Sequence, residues 1–381
     1  LEVDSETLHI DSKEKKLVVD ISGQYNQVPL ALNGGLENDR FFVDNTPTGI
    51  KLDGYFGEAK LSVEGQAGPH SPTFDVDVTA TVETKSLAAV APLTGRALPD
   101  VGPLTVSARL TGKAGQYSVS DLSAALDDPL LSAKAGGAVA DLNTLEGIDL
   151  ALALETGRLS EVSDLFGVKP TFSIPDTLNV KVNAQGNLKE LAINRFEANA
   201  QGLGLDAALQ AKAKNIIVLQ GVEADISLDA ASLDAIAAIA KIKLPPFAPL
   251  KATVNIAAKE KNLRFMDVTL NLRGESIQTD IAGRIGDPMK LKDVDADVSL
   301  SVASLSWLKD YVPVALPPLG ALTASAKIAS SGDSFAADAI KAQLSGGKVQ
   351  ATVAGAVGDV LKFKGVDADV DVGLDSLDTL S

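Results

Sequence analysis

Cysteine is absent from this chain of 381 residues, and histidine occurs only as His9 and His70. The chain therefore has no thiol nucleophile, no disulfide and no Cys/His set that could bind zinc. Aromatic residues make up 4 % of the sequence, whereas hydrophobic residues make up 45 %. The apolar residues are thus mostly alanine, valine, leucine and isoleucine, enough for a large core and too many for a chain disordered by composition.

Positive charge is also scarce. The chain has 34 Lys and Arg against 50 Asp and Glu, a formal net charge of −16. Such a surface repels phosphate backbones, so we expect no nucleic-acid partner. A bare anionic membrane surface would repel it for the same reason.

Long apolar runs are missing as well. No stretch of about 18 uncharged apolar residues occurs, so no helix is predicted to span a bilayer. No basic segment followed by an apolar segment opens the chain, so no signal peptide is predicted. The first residues alternate like a strand and the last resemble the start of a helix, which we interpret as cut ends of a longer protein.

A repeat organises the sequence instead. An acidic, alternating segment begins at Val76, Ile148, Val222, Val294 and Val366, at spacings of 72, 74, 72 and 72 residues. Ten residues after each start comes a residue pair that ends in leucine: Ser86-Leu87, Arg158-Leu159, Ser232-Leu233, Ser304-Leu305 and Ser376-Leu377. Self-similarity at a fixed period indicates a repeat architecture. We predict one elongated repeat domain over residues 1–381, with approximate units 1–102, 103–174, 175–248, 249–320 and 321–381.

Each unit is predicted to contain about four strands and one short helix. Apolar residues alternate with polar ones along four segments of a unit, a period typical of half-buried strands. After the acidic segment, apolar residues recur at helical spacing. The five helical stripes are Leu87/Val90/Leu93, Leu159/Val162/Leu165/Phe166, Leu233/Ile236/Ile239/Ala240, Leu305/Leu308/Tyr311/Val312 and Leu377/Leu380.

The fold class predicted from this pattern is mainly β: a long, curled antiparallel sheet that forms a trough or groove. Short turns between strands favour antiparallel neighbours, and one short helix cannot cover the apolar face of four strands. Small inward residues such as Ala324 favour an open groove, while a filled core stays open as the alternative. Glycines 65, 137, 283 and 355 are predicted to mark bends or bulges. Candidate groove-lining residues are Val180, Val182, Leu250, Val254, Ile256, Val298, Leu300, Ala324, Ala326, Val353 and Val370.

The sequence resembles the AsmA-like and TamB-like proteins of Gram-negative bacteria. The resemblance is carried by a short helix, a Leu-Pro…Gly-Pro-Leu turn at residues 98–104 and a following strand. The strand pair at residues 121–126 and 132–137 and the opening stretch at residues 20–34 are also similar.

This resemblance implies a fold and a function. Such proteins are repeating β-grooves that transfer lipids as bridges, and are implicated in moving phospholipids to the outer membrane and in envelope integrity. It implies a periplasmic location, with a tether to the inner membrane from a segment not present in this chain. The implied partner is a phospholipid or another acyl-chain lipid, and no protein partner is indicated.

The sequence gives only weak signals for a metal-binding or catalytic site. Asp293, Asp295 and Asp297, like Asp367, Asp369 and Asp371, resemble a calcium ladder, but the glycine and distal glutamate of an EF-hand are missing, so a solvated strand face is the preferred interpretation. His70 is interpreted as a loop residue, since no G-x-S-x-G elbow accompanies it. Trp307 and Tyr311 are interpreted as core residues, with a gate on the groove as the alternative. The early aromatics are interpreted as extra core, with a wider or capped section of groove as the alternative: Tyr25, Phe41, Phe42, Tyr55 and Phe56.

Two function classes therefore remain. The first is a non-enzymatic lipid conduit with no cofactor, no metal and no catalytic residue. The second is a structural or adhesive β-repeat rod with a filled core and no ligand. Bound lipid in the purified protein would distinguish them.

Overall fold

A computed structural model describes residues 3–13, 16–68, 75–95, 97–113, 116–170, 174–231, 249–263, 266–287, 292–305, 319–331, 334–347, 349–360, 362 and 364–374. Its contacts divide the chain into two compact units. Unit 1 contains Leu1–Pro170 and Asp176–Arg195, and unit 2 contains Thr171–Pro175 and Phe196–Ser381. The prediction of a single elongated domain stays a prediction.

Unit 1 is an antiparallel sheet in which each strand pairs with the next along the chain. Its strands are β1 (Val3–Lys13), β2 (Lys16–Tyr25), β3 (Val28–Leu36), β4 (Thr48–Phe56), β5 (Ala59–Ala67), β6 (Val76–Thr84), β7 (Leu104–Lys113), β8 (Gln116–Asp127), β9 (Ser132–Asp141), β10 (Glu146–Thr156) and β11 (Thr177–Gly186). Tight turns set this order. Asn26 and Gln27 both adopt positive φ angles between the paired residues Tyr25 and Val28, the geometry of a two-residue hairpin turn that matches strand twist.

Unit 2 has the same construction. Strand β12 (Leu191–Gly202) contains the division between the units. The strands that follow are β13 (Leu205–Ala213), β14 (Val222–Ala230), β15 (Leu250–Ala258), β16 (Met266–Gly274), β17 (Ile277–Ile285), β18 (Asp295–Val302), β19 (Leu319–Ser331), β20 (Ser334–Gly347), β21 (Val349–Asp359) and β22 (Lys364–Leu374). From β13 to β22 each strand pairs antiparallel with the next. The prediction of a mainly β, antiparallel architecture is confirmed, and the sheet is open.

The five acidic segments lie on β6, β10, β14, β18 and β22. Among the strands that the structure describes, each is four strands from the next; the unit of about four strands and one short helix stays a prediction. The 72-residue repeat as the unit of folding stays a prediction.

Helix is a minor part of the described residues. The helical segments are α1 (Phe41–Asp44), a 3₁₀ turn (Leu87–Val90) continued by α2 (Ala91–Thr94), α3 (Leu159–Leu165) and a second 3₁₀ turn (Lys261–Leu263). Two of the predicted helical stripes therefore coincide with short helices. The hydroxyl of Ser86 accepts a hydrogen bond from the Ala88 backbone N–H, which caps the first of them. The stripes that begin at Leu233 and Leu377, and most of the one that begins at Leu305, lie outside the described residues.

The recurring glycines lie where two backbones approach closely. Gly65, Gly137, Gly283 and Gly355 each face the acidic strand that follows. A Cβ at Gly65 would collide with the carbonyl oxygen of Asp77, and a Cβ at Gly355 with that of Asp367. The register shifts beside Gly137 and Gly355, as a bulge requires, but runs evenly past Gly65 and Gly283. Close approach, rather than a bulge at every copy, is the property the four glycines share.

Candidate apolar binding surface

Register aligns the apolar residues of unit 2 into a row across the sheet. Along this row, each residue is the direct cross-strand partner of the next. From β13 to β19 the row contains Leu209, Ile226, Val254, Leu270, Ile281, Val298 and Ala326. At about 4.8 Å per strand, seven strands give an apolar row roughly 29 Å long. All seven side chains are only half-buried.

Neighbouring positions widen this row into a surface, which we call the central strip of unit 2. Besides the row, the central strip contains the half-buried residues Leu228, Ala252, Ile256, Leu272, Leu300, Ala324, Ala342 and Val353. Its members come from every strand between β13 and β21, and all lie on the apolar phase of their strands.

Burial is complete only toward the strand ends. In β15, Leu250 and Ala258 are 8 % and 1 % exposed, whereas Val254 between them is half-buried. In β18, Ala296 and Val302 are 8 % and 2 % exposed, again with half-buried residues between them. We call these buried end positions the margins. A filled core between packed sheets would bury strand centres at least as well as strand ends, so this pattern is typical of an apolar face whose centre is uncovered.

Unit 1 shows the same pattern. A row of direct partners runs through Leu61, Val82, Val106, Ala124, Ala135, Leu152 and Val182, from β5 to β11. We call this row the central strip of unit 1. Leu152, its sixth residue, is 44 % exposed, and the other six are half-buried.

Short helices cover one margin of unit 1. A core cluster joins Val162 of α3 to Val101, Leu126 and Leu131, with Leu87 and Leu165 packed against it. Leu126 is at the end of β8, so the helices lie over strand ends and leave the central strip uncovered. A second cluster buries Phe41 of α1 with Leu17, Leu36 and Ala67, which are also strand-end residues.

Most candidate groove residues lie in the central strips. Val182 in unit 1 and Val254, Ile256, Val298, Leu300, Ala324, Ala326 and Val353 in unit 2 belong to the central strips. Val180 is half-buried on β11 but lies outside the row, opposite Leu154. Leu250 differs because it belongs to a margin. Val370 also differs: it pairs with Val353 but is 61 % exposed, because β22 has one described neighbour. Sequence reasoning omitted Leu209 and Ile226 from the candidates, although their alternating phase could have indicated them.

The opposite face of each sheet carries the charges. The Arg109 guanidinium donates two hydrogen bonds to Asp77 at 2.7 and 2.8 Å, and these bonds hold the pKa of Asp77 below its ordinary value. Further cross-strand pairs are Lys51–Glu64 at 3.8 Å, Lys212–Glu223 at 2.8 Å and Arg284–Asp267 at 3.2 Å. A hydrogen bond from Lys212 to Glu223 correspondingly raises the pKa of Lys212. These exposed pairs contribute little stability each but keep this face polar.

Among the described residues of unit 2, three shallow depressions also lie on the polar face. The largest has a volume of about 550 Å³ and spans β17 to β21, lined by polar side chains such as Ser299, Thr323 and Gln343. A twisted sheet is saddle-shaped, so either face is concave along one diagonal. The lining of the depression also includes the charged residues Asp280 and Lys341, and the central-strip residues Leu300, Ala324, Ala342 and Val353. The depression follows the twist of the sheet.

The other sequence candidates have different positions. Phe41 and Phe56 are buried at 2 % and 4 %, whereas Tyr55 is 47 % exposed; the structure describes no side-chain environment for Tyr25 or Phe42. His70, Trp307 and Tyr311 lie outside the described residues. Within the described ranges, no three acidic or histidine side chains are grouped so that they could hold a metal ion. No helix among those residues is both long and apolar enough to cross a membrane.

Comparison of the chain with family models, curated proteins and solved structures finds no match.

Proposed function

We propose that this chain is a non-enzymatic conduit for phospholipids or other acyl-chain lipids. The observation that carries the proposal is the uncovered central strip: direct cross-strand partners that are all apolar, span seven strands of each unit's sheet and stay half-exposed while the strand ends are buried. A continuous apolar row of this kind matches an acyl chain, which is itself long, narrow and apolar.

The mechanism is passive. Each buried CH₂ of an acyl chain contributes about 0.8 kcal/mol, and valine, leucine, isoleucine and alanine offer nearly the same contact at each strand of the strip. Movement along the strip therefore changes the free energy little, whereas departure into water exposes the whole chain. No acid, base or nucleophile is needed, and the polar face keeps the protein soluble through its charge pairs.

The resemblance to AsmA-like and TamB-like proteins extends the proposal to the cell. We place the protein in the periplasm, tethered to the inner membrane by a segment outside this chain, where it moves phospholipid toward the outer membrane and maintains the envelope. A structural or adhesive rod with a filled core is the competing function, and the buried margins agree with it as well as with a conduit.

The test of this proposal is whether the purified protein contains bound lipid. Protein purified without detergent is extracted with organic solvent, and the extract is analysed by mass spectrometry. Phospholipid in stoichiometric amount supports the conduit. A lipid-free extract, repeated after incubation of the protein with phospholipid vesicles, assigns the chain to the rod.

Photo-crosslinking locates the lipid. A photoreactive residue at Val254 or Val298 lies in the central strip and should label phospholipid in Gram-negative cells. The matched controls Thr253 and Asp297 are their immediate neighbours on the polar face and should stay unlabelled. Equal labelling of both faces would contradict a lipid-binding strip.

A further inference from the structure

An apolar turn at residues 214–221 connects β13 to β14, and we call it the aliphatic turn. Its residues 216–219 are Ile-Ile-Val-Leu. Of these, Ile216, Ile217 and Leu219 are 37 %, 53 % and 37 % exposed. Turns are normally built from glycine, proline, asparagine, aspartate and serine, so four consecutive aliphatic residues need a reason other than reversal of the chain.

The turn between β9 and β10, 74 residues earlier in the sequence, has the same hydrogen bond. There the Asp141 carboxylate accepts a bond from the backbone N–H of Asn143 at 2.7 Å. In the aliphatic turn, the Asn215 side-chain oxygen accepts a bond from the backbone N–H of Ile217 at 3.0 Å. The two turns are therefore built alike at their first residues.

The backbone of the two turns also agrees, although their central residues differ. Leu145 and Leu219 occupy equivalent positions and adopt φ angles of 55° and 50°. Between them and the first residues, the earlier turn has an exposed Asn-Thr pair at residues 143–144, whereas the aliphatic turn has Ile-Val at residues 217–218. The turn can thus form with polar central residues, and folding alone does not explain the aliphatic ones.

Backbone groups of the aliphatic turn are bonded within the protein. The Gln220 carbonyl accepts bonds from the N–H groups of Lys214 and Asn215 at 3.0 and 3.1 Å, and the Gln220 N–H donates to the Asn215 carbonyl at 2.9 Å. From the second 3₁₀ turn, the Asn262 N–H donates to the Val218 carbonyl at 2.8 Å. Internal bonding of this kind is what an apolar layer requires, because it contains no water to replace missing partners.

Lysines surround the aliphatic turn. Lys214 begins it, Lys259 and Lys261 lie on the adjacent connection between β15 and β16, and all three are exposed. The two connections contain a single carboxylate, that of Glu260. The net charge of −16 opposes contact with an anionic bilayer, but salt screens exposed charges more than about 10 Å apart. Local lysines therefore make this turn attractive to anionic headgroups.

We propose that the aliphatic turn is a membrane-contact site, which inserts into the surface of a bilayer that contains anionic phospholipid. Ile216, Ile217 and Leu219 enter the boundary between headgroups and acyl chains, while the lysines keep their ammonium groups among the phosphates. The binding energy of protein interfaces comes mainly from tryptophan, tyrosine and arginine, so a turn of aliphatic residues and lysine favours lipid as the partner.

Vesicle flotation of the full chain tests this site. We expect the chain to float with vesicles of phosphatidylcholine and phosphatidylglycerol in a three-to-one ratio, more than with phosphatidylcholine alone, and less as salt increases. Ile217→Asn with Val218→Thr copies the central pair of the earlier turn and should reduce flotation at least fivefold without changing the melt. As the matched control, Asn143→Ser with Thr144→Ser should leave flotation unchanged.

A second pair of variants tests the lysines. Lys259→Gln with Lys261→Gln should remove the preference for phosphatidylglycerol. Lys60→Gln with Lys341→Gln removes the same charge from exposed positions on β5 and β20, and this control should keep the preference.

Insertion can be observed directly because the chain has no cysteine. The variant Ile217→Cys is labelled with the polarity-sensitive fluorophore NBD, and we expect its emission to shift to shorter wavelength and brighten when the anionic vesicles are added. The label at Asn143→Cys, on the earlier turn, should not respond.

Three outcomes would overturn the proposal: no flotation, equal flotation of the parent and the Ile217→Asn, Val218→Thr variant, or equal responses of the two labels. A dimer in sedimentation experiments that this variant abolishes would assign the turn to a second copy. Photo-crosslinking at residue 217 that yields protein adducts and no lipid adduct would assign it to a protein partner. These readouts concern the turn and not lipid held in the central strip, so the membrane contact and the conduit can fail separately.

Discussion

Val298 and Val302 lie on the same strand and the same face, yet their environments differ. Val302 is 2 % exposed at the margin, whereas Val298 is half-buried in the central strip. The two residues are chemically identical and share one alternating phase. Their difference shows that position along the strand separates the buried residues from those that stay half-exposed.

The largest expected effect comes from deleting strands. Removing residues 222–293 deletes β14 to β17 and joins Gly221 to Val294, so that Val298 takes the place of Ile226 and Val302 that of Ala230. Strand β18 then runs in the direction that β14 had, and its central-strip and margin residues take the positions of those of β14. Because neighbouring contacts dominate a repeat array, we expect a cooperative melt and a particle shorter by about four strands, roughly 19 Å.

The control deletes an odd number of strands. Removing residues 222–274 deletes β14 to β16, so β13 would meet β17 in parallel orientation across a short connection. Parallel neighbours require a crossover of about a dozen residues or more, so this variant should lose its fold. Circular dichroism and solution scattering compare the two deletions. Equally cooperative melts would mean that strand phase does not determine folding here.

The second prediction compares an aspartate at the margin of β18, in place of Val302, with an aspartate in the central strip, in place of Val298. Val302→Asp puts an unpaired charge in a buried site and should cost at least about 3 kcal/mol of unfolding free energy. Val298→Asp leaves the charge in contact with water and should cost about 1 kcal/mol, the scale of strand-propensity differences.

Denaturant unfolding measures both β18 variants. Bound lipid is quantified in whichever variant folds, and we expect Val298→Asp to fold but to lose lipid. Equal destabilisation by the two substitutions would show that the central strip is packed like the margins. Normal lipid content in Val298→Asp would remove the strip from the binding surface.

The third prediction makes the same comparison in unit 1 with leucine. Leu126 is 7 % exposed and packs with Val101 and Val162, so Leu126→Ala should cost about 2–4 kcal/mol by removing buried contacts and leaving a cavity. Leu152 is 44 % exposed, so Leu152→Ala should cost less than about 1 kcal/mol. Thermal and denaturant melts of both variants provide the measurement. A larger loss of unfolding free energy in Leu152→Ala than in Leu126→Ala would reverse the assignment of margin and central strip.

The sequence predicts well which residues of a strand share a face, but it does not predict which of them are covered by other parts of the protein. Alternation placed Val254, Val298 and Ala326 on one face, and register then made them members of one row. Alternation is the same at Leu250, yet Leu250 is buried, because burial at a strand end depends on what packs over it. The exposure of Val370 could not be predicted either, since it depends on which strands pair with β22. The predicted repeat explains the spacing of acidic strands but contains no information on the depressions that twist creates.

The smallest predicted effect concerns the turn that connects a margin of unit 1 to its helices. The Asp128 carboxylate accepts hydrogen bonds from the backbone N–H groups of Leu130 at 2.8 Å and Gly102 at 3.0 Å. These bonds favour the charged form and lower the pKa of Asp128. A carboxyl with a lowered pKa in the folded state stabilises the protein above its unfolded pKa of about 3.9 and loses that contribution as the pH falls through the folded value.

Asp128→Asn should therefore lower the melting temperature at pH 7, by less than Leu126→Ala does, and the difference from the parent protein should shrink below about pH 4. Asp127→Asn is the matched control, because the Asp127 side chain is exposed beside the same turn, and it should change the melting temperature little at either pH. If the melting temperature of Asp128→Asn stays below that of the parent protein by the same amount from pH 7 to pH 3, the new amide disturbs the turn and the lost charge does not. The charge of Asp128 would then contribute nothing to the stability of this margin.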